Sequence, residues 1–262
     1  MNISDIFKGE HAMIDEEQLI QLSGLTEKKL RKFNLSQQSL EEVSKILDVD
    51  KKFLFFDPNG VLNPFCYWDK FFYFRFLSLD MDYLNMKIGM DFTISKQFQV
   101  TKEKLYSYKK EKLWEECIFL SDKKVSMLVF MNLRNLIPKE QQKEIFLNEY
   151  QRNEYGFDRL NPNIVREVLK LPTPKEYNID NYKGKPNEHG YYTVYRGVTP
   201  QSSPLDKAYS WTLDRSVARF FAERFNSKGK ILKGKVHKNN IHAYIENEKE
   251  VLIFAEDIIL LD

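Results

Sequence analysis

Five side chains in the C-terminal third have types and positions suited to chemistry on a phosphorylated sugar: Arg196, Ser210, Thr212, Glu248 and Glu250. Arginine has a rigid fork that donates to several oxygens, which suits a pyrophosphate or ribose. A hydroxyl on a neighbouring strand can hold a carboxylate in place. A carboxylate can bond a sugar hydroxyl and stabilise an oxocarbenium-like transition state. Glu248 and Glu250 open the stretch NEKEVLIF. On a strand they would share a face, because side chains alternate. Two carboxylates so placed repel and shift each other's titration. Taken alone, the pair also reads as a solvated turn ahead of a core strand. Phe220 and Phe221 follow Ser210 and offer walls for a planar ring.

The elements around these residues read as strands with one helix between them. YYTVYRGV ends in Arg196–Gly197, AYSWTL carries Ser210 and Thr212, and KILKGKVHK, IHAYI, EVLIF and DIILLD follow. DRSVARFFAERF is a helix, with Val217, Phe221 and Phe225 on one face, Ala218 and Ala222 beside them, and Asp214 or Thr212 as cap. Six strands and one helix in so short a segment predict an α+β unit with mostly antiparallel pairing. Pro172, Pro174, Gly184, Pro186 and Gly190 mark a long loop ahead of it, of the kind that serves function or links domains.

Upstream, residues 102–171 read as helices. An apolar run stops at Pro138, a helix resumes after it and ends near Gly156, and a short one starts near Asn161 or Asn163. Phe65 to Leu79 is aromatic-dense and reads first as core, and second as a platform for bases. Residues 1–50 read as helical and polar, with Leu30, Phe33, Leu40, Val43 and Leu47 at helical spacing and Ser36 or Ser39 as cap. The division this suggests is 1–100, a helical and aromatic-rich region, and 101–262, helices over 102–171 with a β core over 190–262.

Composition narrows the class. The chain has 262 residues, 42% hydrophobic and 30% charged, and a formal net charge of +2. These are the values of an ordinary globular protein without an overall basic field. The lysines of KGKILKGKVHK (228–238) and YSYKKEK (106–112) leave room for a local phosphate-tracking surface, and a solvated face explains them equally well. Cys66 and Cys117 form no CxxC pair, and His11, His189, His237 and His242 show no metal spacing, so no metal is expected. No signal peptide or membrane span is legible, which makes the cytoplasm the expected compartment.

The order YRG (195–197), SWT (210–212) and EKEVLI (248–253) resembles the arginine–serine–glutamate class of mono-ADP-ribosyltransferases, which includes cholera-like and binary toxins and phage-borne enzymes. The resemblance covers about residues 190–262. It implies a helical N-terminal part packed on a mostly antiparallel transferase-like β core, with NAD as the consumed substrate. Arg196, with Gly197 beside it, would bind the NAD phosphate or nicotinamide ribose. Ser210 would orient Glu250, with Thr212 assisting. Glu250 would stabilise the oxocarbenium ion as nicotinamide leaves. Glu248 would position or deprotonate the acceptor, a glutamate there going with arginine acceptors in this class. Tyr195, Tyr192 and the 172–190 loop would add cofactor contacts, and Tyr244 in the 239–247 loop an acceptor contact.

The function expected on this basis is intracellular transfer of ADP-ribose to a macromolecule. A protein arginine is favoured, and an RNA or DNA base is the close rival. The setting would be a phage modifier, or a toxin or defence effector held by an antitoxin or inhibitor protein. The other readings are an NAD glycohydrolase that depletes the pool and a non-catalytic interaction protein on a relic fold.

Overall fold

In a computed structural model the protein is described over residues 13–89, 92–153, 157–200, 202–224 and 228–261. It divides into two compact units, residues 1–137 with 145–156 and residues 138–144 with 157–262. Both mix helices with antiparallel sheets. Among the described residues no helix is long and apolar enough to cross a membrane. The helices between Ile94 and Leu133 belong to the first unit by their packing, whereas the sequence grouped residues from 101 onward with the β core.

The first unit holds a four-stranded antiparallel sheet in chain order: β1 (Ile20–Gln21), β2 (Leu54–Phe56), β3 (Phe65–Trp68) and β4 (Tyr73–Phe76). The aromatic-dense stretch is therefore a hairpin, and all of β3 is buried. The rings of Phe72, Phe74, Phe76 and Tyr67 gather round Phe98, a packing role and not an open platform. The helical reading of residues 1–50 had hidden β1, and β2 lies just beyond it; they are only two and three residues long. Helix α1 (Gln37–Leu47) starts at Ser36, whose hydroxyl accepts from the Ser39 N–H while Ser39 answers the Ser36 N–H, so both serines cap it. Helices α2 (Ile94–Glu111), α3 (Trp114–Leu120) and α4 (Ser126–Leu133) follow. The apolar run after Leu113 is broken at Asp122, whose carboxylate accepts from the Lys124 N–H. Helix α5 (Lys139–Arg152) begins straight after Pro138, as the sequence predicts. The expected stop at Gly156 lies outside the described residues.

The second unit begins with the first turns of α5 and includes α6 (Pro162–Leu169), capped by Asn161 with proline in its first turn. All six expected strands are present: β5 (Tyr191–Val198), β6 (Ser210–Thr212), β7 (Lys230–His237), β8 (Ala243–Ile245), β9 (Glu250–Leu252) and β10 (Ile258–Leu261). They form one antiparallel sheet in the order β10-β7-β5-β6-β9-β8. Helix α7 (Arg215–Glu223) is capped by Asp214 and buries Ala218 and Ala222. Phe225 of its expected face lies outside the described residues.

Strand alternation decides what each face carries. Tyr192, Val194, Trp211, Val236, Tyr244, Val251 and Ile253 form the core on one face. Full burial of such side chains contributes about 1.5–3 kcal/mol each. The long loop after Leu171 covers this face: Ile179 and Tyr182 pack on the cluster, and the Tyr182 ring lies 5.9 Å from Tyr192 and 5.6 Å from Tyr244. On the other face α7 crosses β5 at Gly197. A Cβ at Gly197 would stand 2.1 Å from the Ala218 carbonyl oxygen and 2.6 Å from the Ala222 nitrogen.

Candidate active site

The three motif strands are neighbours in the sheet. β5, β6 and β9 lie side by side, although α7 and two strands separate β6 from β9 along the chain. The register pairs Tyr195 with Thr212 and Thr212 with Glu250. Directly opposed residues project to the same face, so these three form one row across the sheet. Thr212 and Glu250 are buried. Ser210 pairs with Leu252, one step along from Glu250 on that face. Thr212 is thus the residue directly opposite the glutamate, with Ser210 on the same face as its diagonal neighbour.

Thr212 also ties down the turn that delivers Glu250. Its Oγ1 donates to the Glu248 carbonyl at 2.8 Å and accepts from the Asp214 N–H at 3.1 Å. The Leu213 N–H donates to the Lys249 carbonyl at 2.9 Å, and the Lys249 N–H closes the turn on Glu246 O at 3.0 Å. Lys249 has φ +45°, in the left-handed region, and its ammonium meets Asp214 Oδ2 at 2.6 Å. Hydrogen bonds from Lys249, then from the Ser216 side chain and main chain, hold the Asp214 carboxyl well below its ordinary range. The same contact raises Lys249.

This turn corrects the reading of the glutamate pair. Strand β9 starts at Glu250, and Glu248 stands in the exposed turn before it. A left-handed residue between them breaks the strand alternation that was to aim both carboxylates one way. Lys249 and Asp214 are the participants that the pair hid. Asp214 was legible as a cap; its second partner was not, since 35 positions separate it from Lys249.

The arginine is placed differently. Along β5 it alternates with Tyr195 and shares the face of Tyr192 and Val194, whereas Glu250 faces away from Val251. Arg196 and Glu250 therefore leave the sheet on opposite faces. The Arg196 Nη1 donates to the Ser210 carbonyl at 2.6 Å. Gly197 has a packing reason of its own, the close passage of α7.

The other expected cofactor and acceptor residues scatter. Tyr244 is 3% exposed and belongs to the core, because IHAYI forms β8 instead of an open loop. Tyr192 is likewise in the core. Phe220 is 63% exposed, and Phe221 packs towards Gly197, so they do not pair as two walls of a slot. A recess of about 600 Å³ lies on the Trp211 face, lined by Leu205, Asp206, Trp211, Glu256, Ile258 and Leu260 among others. Its polar side chains are acidic, and Glu256 is ion-paired with Arg166. None of the lining side chains is a cation of the kind that binds a pyrophosphate.

A second polar cluster has little trace in the sequence. Lys143 is buried and donates to Leu169 O at 2.6 Å, Leu171 O at 2.8 Å and Thr173 Oγ1 at 2.8 Å, tying α5 to the end of α6. Burial pulls its ammonium down to about 8. Thr173 donates in turn to His242 O at 3.1 Å. The His242 ring lies 4.2 Å from Phe254, and burial, with Lys143, Lys170 and Arg166 nearby, lowers it to about 4. Only a lysine in an amphipathic helix marks this cluster in the sequence.

No protein-family model matches the chain, and neither a curated protein nor a solved structure gives a significant match.

Proposed function

We propose that the second unit is an NAD-dependent mono-ADP-ribosyltransferase that passes ADP-ribose to a macromolecular acceptor. The observation that carries the reading is the adjacency of β5, β6 and β9, with Thr212 directly opposite Glu250. It sets the arginine and hydroxyl motifs, 14 residues apart, on adjacent strands, the second of them next to the one that carries the distant glutamate.

In this reading Glu250 accepts a hydrogen bond from the nicotinamide-ribose hydroxyl. The bond between ribose C1′ and the nicotinamide nitrogen breaks, and its electron pair leaves with nicotinamide. The Glu250 carboxylate stabilises the positive charge that develops on the sugar. The acceptor nucleophile then bonds to C1′, and its proton passes to Glu248. Thr212 positions Glu250 by holding the preceding turn. The resemblance gives Arg196 the NAD phosphate or nicotinamide ribose; it donates to the Ser210 carbonyl and leaves the sheet on the face opposite Glu250. Glu248 in its exposed turn suits an acceptor that approaches from solvent, and an arginine side chain is the acceptor it favours. Such an enzyme works inside a cell, as a phage modifier or as an effector restrained by an inhibitor protein.

The test is incubation with labelled NAD and lysate, followed by separate nuclease and protease digestion. Label removed by protease and not by nuclease identifies a protein acceptor. Glu250→Gln is expected to lower turnover by about 10²–10³-fold while preserving the fold. Full activity in that variant, or no NAD consumption by the wild type, would sink the proposal. Release of free ADP-ribose without labelled macromolecule would make water the acceptor.

A further inference from the structure

The stretch KGKILKGKVHK carries five lysines and no carboxylate, and the transferase reading makes no use of it. In the fold it is β7 with its flanks, between β5 and β10. Alternation turns Leu232, Gly234 and Val236 to the core face and Lys233, Lys235 and His237 to the other. The register sets Tyr195 opposite Lys233, Thr193 opposite Lys235 and Tyr191 opposite His237. On the far side Leu261 lies beside Lys233 and Ile259 beside Lys235. On β5, β7 and β10 this face has cations, rings and aliphatic groups, and no carboxylate.

The face is open. Thr193 and Lys233 are exposed, and Ile259 and Leu261 are 48% and 36% exposed. The Lys235 ammonium stands 5.3 Å from the centre of the Tyr191 ring, and that ring meets His237 edge-on at 5.3 Å. Lys233 and Lys235, two residues apart on a strand, are spaced by about 7 Å. That spacing suits successive phosphates of an extended strand. The rings and aliphatic side chains between and beside the cations suit unstacked bases. A duplex hides its bases and would use only the charge. An acidic peptide would leave the rings without partners.

We propose that this face of β5, β7 and β10 binds single-stranded nucleic acid, with Lys233 and Lys235 on phosphates and Tyr191 and Tyr195 against bases. The row that contains Lys233, Tyr195, Thr212 and Glu250 crosses the whole sheet, from Leu261 on β10 to Ile245 on β8. The surface depends on its own side chains alone and binds whether or not Glu250 turns over NAD.

The test is fluorescence polarisation of a labelled uridine dodecamer with the full chain, without NAD, over a salt series. Lys233→Gln with Lys235→Gln is expected to weaken binding about ten-fold and to reduce the salt slope by about 1.4, which is about 0.7 for each phosphate no longer neutralised. Tyr191→Leu is expected to weaken binding about five-fold or more with the slope unchanged. Lys185→Gln, an exposed lysine of the preceding loop, serves as the control and leaves binding unchanged. Two results would overturn the proposal: equal affinity in all variants, or displacement of the dodecamer by polyglutamate or a duplex as effective as by unlabelled dodecamer. Thermal melts of each variant separate loss of the surface from loss of the fold.

Discussion

Thr212→Val removes one oxygen and keeps the shape of the side chain. That oxygen donates to the Glu248 carbonyl at 2.8 Å and accepts from the Asp214 N–H at 3.1 Å. A net hydrogen bond contributes about 0.5–1.5 kcal/mol, and a buried partner left unmatched costs about 1–3 kcal/mol. The Glu248 carbonyl is in an exposed turn and can turn to water, so its loss falls at the low end. The Asp214 N–H begins α7 and is half-buried. Together these give about 1–2 kcal/mol of local destabilisation, or a factor of about 5–30 in the opening equilibrium. Native-state hydrogen exchange reads this directly at two amides, Leu213, which donates to Lys249 O, and Lys249, which donates to Glu246 O. Both are expected to lose protection by that factor, while the β5–β7 ladder is unaffected. Thr212→Ser keeps the oxygen and stays close to wild type. Unchanged protection in the valine variant, or equal loss in the serine variant, would refute the claim that this hydroxyl holds the turn before Glu250. If the turn positions Glu250 for NAD cleavage, turnover falls in the valine variant and is restored in the serine variant.

Gly197→Ala puts a Cβ 2.1 Å from main-chain oxygen in α7, which cannot yield as a side-chain tip would. A loss of about 1–3 kcal/mol in urea denaturation is expected, and a variant as stable as wild type would show that the glycine serves something other than packing. His242 is lowered to about 4 by burial and nearby cations. In the unfolded chain it titrates near 6.5, so between about pH 6.5 and 4 the unfolded state binds more protons than the folded one. Stability from this group is complete above pH 6.5 and is lost as pH falls towards 4; an NMR midpoint above 6 for its ring would contradict the burial. Burial pushes the thiols of Cys66 and Cys117 up to about 12 and about 11. At pH 8 a thiol reagent is expected to label neither in the folded chain and both in urea, and fast labelling of the folded chain would place a cysteine at an accessible site.

Much of the second unit was legible because its signals are local. Alternation marks β5 and β7, and an apolar run bounded by polar turns marks β9 and β10. Asp214 and Asn161 cap the helices the sequence assigns them, since a cap needs only the residues that follow it. The first unit was harder. Its short strands β1 and β2 carry too few residues to show a period, and their pairing with β3 is a long-range contact.

What the sequence determined by itself was the inventory: six strands, a capped helix, and Arg196, Ser210, Thr212, Glu248 and Glu250 in order along them. Only the tertiary structure decided their relations. It brought β9 against β6 and set Thr212 opposite Glu250, because sheet order is a choice among distant partners that no local pattern encodes. It divided the glutamates between turn and strand through one left-handed residue, Lys249, whose type does not announce that backbone. It sent Arg196 and Glu250 to opposite faces, since face follows from register with the core and not from spacing along the chain.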